Sequence, residues 1–439
     1  MIVQLQNFKN IFHVGELRNK LGFTLAVLAV YRFGVHIQIP GIDVVALKNL
    51  FNSSAASGFL NYFDMFSGGA LKNFAIFAMG MGPYITASIM MQLLTIMVPS
   101  LETLSKEGDY GRKVINQYTR YLTFFVAIIQ SFGYITFIEH TPGIIIAPGW
   151  GFRLTAALFL GIGSLFVMWL GEQINGHGIG NGSSMVIFAG IVAMLPMAIG
   201  NILTQMQLGQ TNLLTVAVLL VVTVLVIACI VFLERGERKV PVQYAKRVIG
   251  HKVYGGQSSY IPLKLNPSGV VPVIFSQALL SMPGMVIGLF ALRWPEIQSV
   301  FMEWFSPSSV LYNLFNAGLI IFFAFFYTAI IFNPNEMADN IRKSGGFVPG
   351  IRPGKKTAEF FDYLLTRVGF TGALYLTSLA ILPRLLHGIW DFPVMFSGVS
   401  LLIVIGVGLD LSAQVESHLI ERRYDGFLSS GRLKGRYGR

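Results

Sequence analysis

Few residues in this chain have the type and spacing that covalent chemistry requires. Gly354-Lys355 looks like the end of a phosphate-binding loop, but Pro349 stands where that loop needs glycine. Lys356 replaces the Ser or Thr that would hold magnesium, so nucleotide hydrolysis is not expected. Gly398-Val399-Ser400 begins like a nucleophile elbow, yet it lacks the second glycine and a histidine to serve as its base. No HExxH sequence occurs, and the single cysteine, Cys229, excludes an internal disulfide and any multi-cysteine metal site. His177 falls in a short polar connection. Arg32 and Asp410 sit near the ends of apolar runs, where a long or charged side chain reaches toward the headgroups. These residues predict a protein that is not an enzyme and carries no cofactor or metal.

Composition indicates what positions such residues. Of 439 residues, 54% are hydrophobic and 12% charged. That charge content is about half the roughly 25% usual in globular chains. Too few charges remain to cover a water-soluble surface, and mean hydropathy is +0.63, so the chain belongs in a bilayer. Residues 1–20 carry Lys9, Arg18 and Lys20 and no small-residue cleavage site, so no removable signal peptide is expected.

A hydrocarbon core of about 30 Å needs roughly 20 apolar residues per helix. Charge-free runs near 21–38, 74–98, 121–138, 154–171, 183–200, 213–233, 270–291, 311–332, 368–386 and 393–411 predict about ten spans. Phe74–Val98 is the clearest, with no charge at all. The runs are too long and too uniformly apolar for barrel strands. With the N-terminus cytoplasmic, 26 of the 32 lysines and arginines fall in cytoplasmic segments, and an even span count puts both termini there. Two cytoplasmic loops, 234–269 and 333–367, exceed the length of a connector. They are either functional extensions or purely topogenic charge. Two five-helix halves split near 201–212 are compatible with an inverted-repeat design that the sequence alone does not establish.

Several segments resemble, in order and spacing, the SecY family of protein-conducting channels. They are Phe63-Asp64-Met65-Phe66-Ser67-Gly68-Gly69-Ala70-Leu71, Gly82-Pro83-Tyr84-Ile85-Thr86-Ala87-Ser88-Ile89 and Gln117-Tyr118-Thr119-Arg120-Tyr121. Gly178-Ile179-Gly180-Asn181-Gly182, Glu234-Arg235-Gly236, Ala245-Lys246-Arg247, Asn333-Pro334, the Gly345–Gly354 loop and Leu433–Arg439 add to them. The resemblance runs from about residue 15 to the C-terminus.

It implies an all-α polytopic membrane protein: ten transmembrane helices in two pseudosymmetric five-helix halves, with a central pore and a lateral gate. The halves would be 21–200 and 213–411, joined by an outer hinge loop at 201–212. Cytoplasmic ends at 1–20 and 412–439 would flank them. The implied function is to pass unfolded secretory proteins across, and membrane-protein segments sideways into, a bacterial plasma membrane.

By the same resemblance, Met81, Ile85, Ile187, Ile274 and Ile403 form an apolar pore ring, which holds no peptide tightly and resists wetting when closed. The family's ring is mostly isoleucine, so Met81 departs from it, and Ser183 stands where some members carry a further ring isoleucine. From the sequence alone, an isoleucine in a span most often faces lipid or a neighbouring helix, and only the resemblance reverses that. Residues 62–72, with Phe66, Ser67, Gly68 and Gly69, correspond to a plug. Thr86, Gln130 and Asn181 resemble polar gate and pore-facing positions. Lys246, Arg247, Lys252 and Arg352 correspond to docking positions for the SecA ATPase and for the ribosome with its polyanionic RNA. His251-Lys252 departs from the paired arginines common there. SecE and SecG subunits, signal peptides, precursor chains and the lipid bilayer complete the implied partners. The alternative reading, a secondary transporter for a small solute, would need charges at mid-membrane depth, which the runs lack.

Overall fold

The computed structural model describes residues 15–52, 64, 67–139, 143–209, 212–244, 247–249, 252–254, 258–290, 309–390 and 398–430. The chain divides into two compact units. One holds residues up to Leu195 together with those from Val407 onward, and the other runs from Pro196 to Gly406.

In the first unit, α1 (Gly15–Gly34) and the short α2 (Val44–Asn52) precede a stretch of turns. Then come α3 (Gly82–Met97), α4 (Pro99–Lys106), α5 (Asp109–Glu139), α6 (Trp150–His177) and α7 (Gly182–Gln207), the last continuing past the unit boundary. α5 packs along both α3 and α6, and α1 also lies against α6. Phe51, Phe74, Ile135, Ile138 and Leu160 are completely buried in its core. Leu17 and Ile179 pack with Leu411, Val415 and Leu419, so the first and last described helices meet in this unit.

The second unit carries α8 (Leu213–Glu234), strands β1 (Glu237–Tyr244), β2 (Arg247–Ile249), β3 (Lys252–Tyr254) and β4 (Ser258–Lys264), then α9 (Val271–Phe290), α10 (Val310–Ile331) and α11 (Pro334–Lys343). The two-residue β5 (Gly346–Phe347), α12 (Lys355–Trp390) and the start of α13 (Gly398–Ser430) complete it. α10 packs between α9 and α12. α8 leaves most of its apolar surface uncovered, with Leu220, Leu225 and Phe232 exposed as on a helix that faces lipid.

Among the described residues, seven helices are long and apolar enough to cross a membrane, or eight if the α3–α4 pair counts as one span bent by 100°. α1 and α9 lie on two further apolar runs of the sequence. The protein is thus a polytopic helical membrane protein.

The structure corrects the sequence reading in four places. The run Phe74–Val98 is helical only from Gly82, and residues 68–81 form consecutive turns. Phe74 and Gly80 have left-handed φ angles of 44° and 51°, and Pro83 fits only the first turn of a helix. The expected outer loop 201–212 is helical as far as Gln207. No breaker interrupts 201–207, and Gly209, at φ 70°, ends the helix. α12 and α13 extend far beyond the apolar runs at 368–386 and 393–411. Finally, the all-α expectation misses a sheet of order β4-β1-β5 and a β2–β3 hairpin.

Candidate functional site

The turns at 68–81 are irregular backbone inside a helical protein, so each polar group needs a partner. Many are internal: Gly69 N–H donates to the Asp64 carbonyl at 3.0 Å, Ala75 to Ala70 at 3.0 Å and Gly80 to Phe77 at 2.9 Å. Two run to the end of the first span, Ile39 N–H to the Phe74 carbonyl and Ile76 N–H to the Ile37 carbonyl, each 3.0 Å. Glycines on the neighbouring helices make the room. A Cβ at Gly34 would collide with the Phe77 ring, and one at Gly163 with the Ile76 carbonyl.

Three side chains hold the neck of this segment, all through its backbone carbonyls. From α1, Tyr31 hydroxyl donates to the Ser67 carbonyl at 3.0 Å and Arg32 Nη1 donates to the Gly68 carbonyl at 2.8 Å. From α5, Tyr134 hydroxyl donates to the Leu71 carbonyl at 3.0 Å. Neutral bonds of this kind contribute about 0.5–1.5 kcal/mol each, and a charge-assisted one about 1.5–3. Arg32 is therefore half-buried and bonded, where the sequence suggested a side chain reaching for headgroups. Gly68, at φ 67°, lies so close to α7 that a Cβ there would stand 2.7 Å from both Arg32 Nη1 and Gly190 Cα.

Asp64 closes the turn. Its Oδ1 accepts from Lys72 N–H at 2.9 Å, its carbonyl accepts from Ser67 Oγ at 3.1 Å, and Ser67 Oγ accepts from Leu71 N–H at 3.2 Å. The residue is fully buried, Oδ2 has no hydrogen-bond partner among the described residues, and the Lys72 ammonium stands 4.0 Å away. Burial pushes the carboxyl above its ordinary range, and the backbone N–H and charge of Lys72, the Leu71 N–H and the Ser67 hydroxyl only partly oppose it.

Of the expected plug residues, Ser67, Gly68 and Gly69 lie in this segment, whereas Phe66 lies outside the described residues. Of the expected ring, Met81 and Ile187 are buried and Ile85 half-buried in the first unit. In the second unit Ile403 is buried and Ile274 half-buried. Thr86 on α3 and Gln130 on α5 are buried polar side chains on packed helices. Asn181 differs from them. It is exposed, and its Oδ1 accepts from Ser183 and Ser184 N–H at 3.1 and 3.3 Å, capping α7.

The two long loops of the second unit meet in one platform. β1 pairs antiparallel with β4, Val240 opposite Ile261. β5, from the other loop, adds to the far edge of β1 with Gln243 opposite Phe347. Alternation turns Val240 and Val242 inward onto Leu263, Ile341, Val348, Phe361 and Leu364, so α11 and the start of α12 cover one face of the sheet. Beyond β5 the chain makes a ledge. Val348 is buried, Ile351 packs beside it, and Gly350 and Gly354 take φ angles of 81° and 101°. Arg352 is exposed on that ledge, whose backbone is pinned where Thr357 Oγ1 donates to the Arg352 carbonyl at 2.9 Å. Arg247 opposes Tyr254 and Lys252 opposes Ile249 in the β2–β3 hairpin, and Lys246 lies outside the described residues.

Tyr31, Arg32, Asp64, Tyr134 and Gly190 were not singled out as site residues by sequence. Only Asp64 falls in a segment that resembles the SecY family, and no helical or strand period links positions 31, 67, 134 and 190.

Helices long and apolar enough to cross a membrane, with a clasped irregular segment in the first unit and a sheet platform built from two loops in the second, define a polytopic helical membrane protein. The sequence pattern of SecY matches residues 75–412. The chain is 45% identical over 436 residues to the protein translocase subunit SecY of Escherichia coli K12, covering 97% of each. At 16% identity and a TM-score of 0.61, covering 92% of this chain and 93% of the other, it shares its fold with a SecY structure. That structure is described as one in which the plug domain stabilises the closed translocation channel and maintains a membrane seal. It is similar in fold, at 15% identity and TM-score 0.59, covering 92% and 93%, to Sec61 in a canine ribosome-channel complex from the endoplasmic reticulum. The chain belongs to the SecY family. It is a channel subunit for protein translocation and membrane insertion.

Proposed function

We propose that the chain forms a ten-helix channel of two pseudosymmetric halves, 21–200 and 213–411, in a bacterial plasma membrane with both termini cytoplasmic. Met81, Ile85, Ile187, Ile274 and Ile403 are its apolar ring, and residues 62–72 are its plug. One observation carries this reading: the neck at Ser67–Leu71 is held by side chains that grip only backbone carbonyls. Such a seat is specific in geometry and modest in strength, which suits a segment that must leave and return. A plug that stabilises the closed channel is described for a SecY structure of similar fold.

Thr86 and Gln130 line the seam through which an apolar segment leaves sideways. Helices keep their own backbones satisfied when they part, so such a seam opens at the cost of packing and of about 1–2 kcal/mol per buried polar contact. Asn181, a cap, contributes by fixing the start of α7. The platform bearing Arg352, with Lys246, Arg247 and Lys252 on the neighbouring loop, docks the SecA motor and the ribosome. SecE and SecG assemble with the chain in the bilayer, and signal peptides and precursor polypeptides are its cargo. The test is reconstitution of the complex in proteoliposomes with motor, ATP and a precursor. Protease-protected precursor is expected, and its absence with active motor and fuel would reject the reading.

A further inference from the structure

Asp64 is the one carboxylate in the clasped segment, and its surroundings suit an acid better than an anion. The group is fully buried, and one oxygen accepts from Lys72 N–H while the other has no hydrogen-bond partner among the described residues. The other clasp donors point to backbone carbonyls: the Tyr31 and Tyr134 hydroxyls donate to Ser67 and Leu71, and Arg32 Nη1 donates to Gly68. Tyr31 from α1 and Tyr134 from α5 lie within electrostatic reach of the carboxyl and are uncharged donors. The facing cation is Lys72, 4.0 Å from Oδ2 and 28% exposed, too far for a hydrogen bond and partly screened by water. A buried carboxylate oxygen with neither donor nor contact ion is costly, and protonation removes that cost.

We propose that Asp64 is a positioning residue for channel closure: it seats as the neutral acid and leaves its seat as the carboxylate, so that the seal tightens as the surrounding water becomes more acidic. The inference rests on the reading of residues 62–72 as a plug.

When the segment leaves, the carboxyl meets water and ionises. Its O–H bond breaks, the electron pair stays on the carboxylate, and the proton passes to solvent. Return reverses both. The seated group holds its proton to a higher pH than the released one. The contribution to the seat is therefore full below the ordinary carboxylate range and fades as pH rises through the seated value. One proton is exchanged, so the seated-to-released ratio changes by at most about tenfold per pH unit within that window. This gives the segment a handle on pH that the tyrosines, arginine and glycines do not supply.

The experiment is resting ion conductance of the reconstituted complex in planar bilayers between pH 5 and 8, for wild type, Asp64→Asn, Lys72→Met and a deletion of residues 62–72. Wild-type conductance should rise with pH. Asp64→Asn keeps the oxygen that accepts from Lys72 N–H but cannot ionise, and should stay low and flat. Lys72→Met removes the facing cation and should move the rise to higher pH, a displacement that a merely structural role would not produce. The deletion should conduct more than wild type at every pH. A leaky deletion with a wild-type profile that is flat, or that Asp64→Asn retains, overturns the role of Asp64 and leaves the plug standing. A deletion that seals like wild type removes the plug reading, and this inference with it.

Discussion

Arg32 on the first helix donates from Nη1 to the carbonyl of Gly68 at 2.8 Å, and the glycine has no room for a side chain between that guanidinium and Gly190. The contact joins a charge to a backbone group, so the seated residue matters for its size and its left-handed backbone rather than for its side-chain chemistry. It makes the clasp tight at one point and indifferent to sequence elsewhere.

Gly68→Ala should weaken the seat. A left-handed φ costs a non-glycine residue about 1–2 kcal/mol, and the new methyl must also displace Arg32 or α7 backbone. Resting conductance in planar bilayers should rise several-fold while motor-driven export persists. A resting seal equal to wild type would mean that the close approach at Gly190 has no part in closure.

Tyr31→Phe and Tyr134→Phe each remove one donor to a carbonyl of the neck, Ser67 and Leu71 respectively. Each should loosen the seat by about 1 kcal/mol, or roughly fivefold in the released population. Arg32→Met should have the larger effect because its bond is charge-assisted. Protection of a cysteine introduced at position 67 against a water-soluble thiol reagent reads the difference. Equal labelling in all three variants and wild type would count against the clasp.

Replacing Ile85 and Ile274 with glycine should make the resting channel leak ions, because a dewetted constriction depends on apolar bulk. Unchanged single-channel conductance would reject the ring assignment.

Arg352→Glu should block SecA-driven export and leave assembly of the complex intact, since the side chain is exposed on a ledge anchored by Val348. Val348→Asp attacks the anchor itself. Burying that charge in the platform core should cost several kcal/mol and lower the amount of folded protein as well as export. Normal export by Arg352→Glu would remove the docking role.

Gln130→Leu should let precursors with weakened signal sequences through, because a buried polar side chain on α5 would no longer favour the closed seam. Unaltered rejection of defective signals would make Gln130 simple helix-packing glue.

The sequence by itself determined the solvent of this protein and its family. Twelve per cent charge and long apolar runs admit only a bilayer, because hydrophobic burial and the cost of desolvating charge are additive along a chain and need no fold to be read. The placement of lysine and arginine and the ordered motifs are local in the same sense, and so were Ser67-Gly68-Gly69 and Arg352. Tertiary structure alone decided the rest. That Phe74–Met81 is coiled into turns depends on Gly34 and Gly163 yielding space from distant helices. That two separate loops share one sheet depends on Gln243 meeting Phe347. Hydrogen bonds from residues 31, 32 and 134 to carbonyls near 67 leave no periodic trace, since a carbonyl is the same at every position and what selects it is proximity in three dimensions.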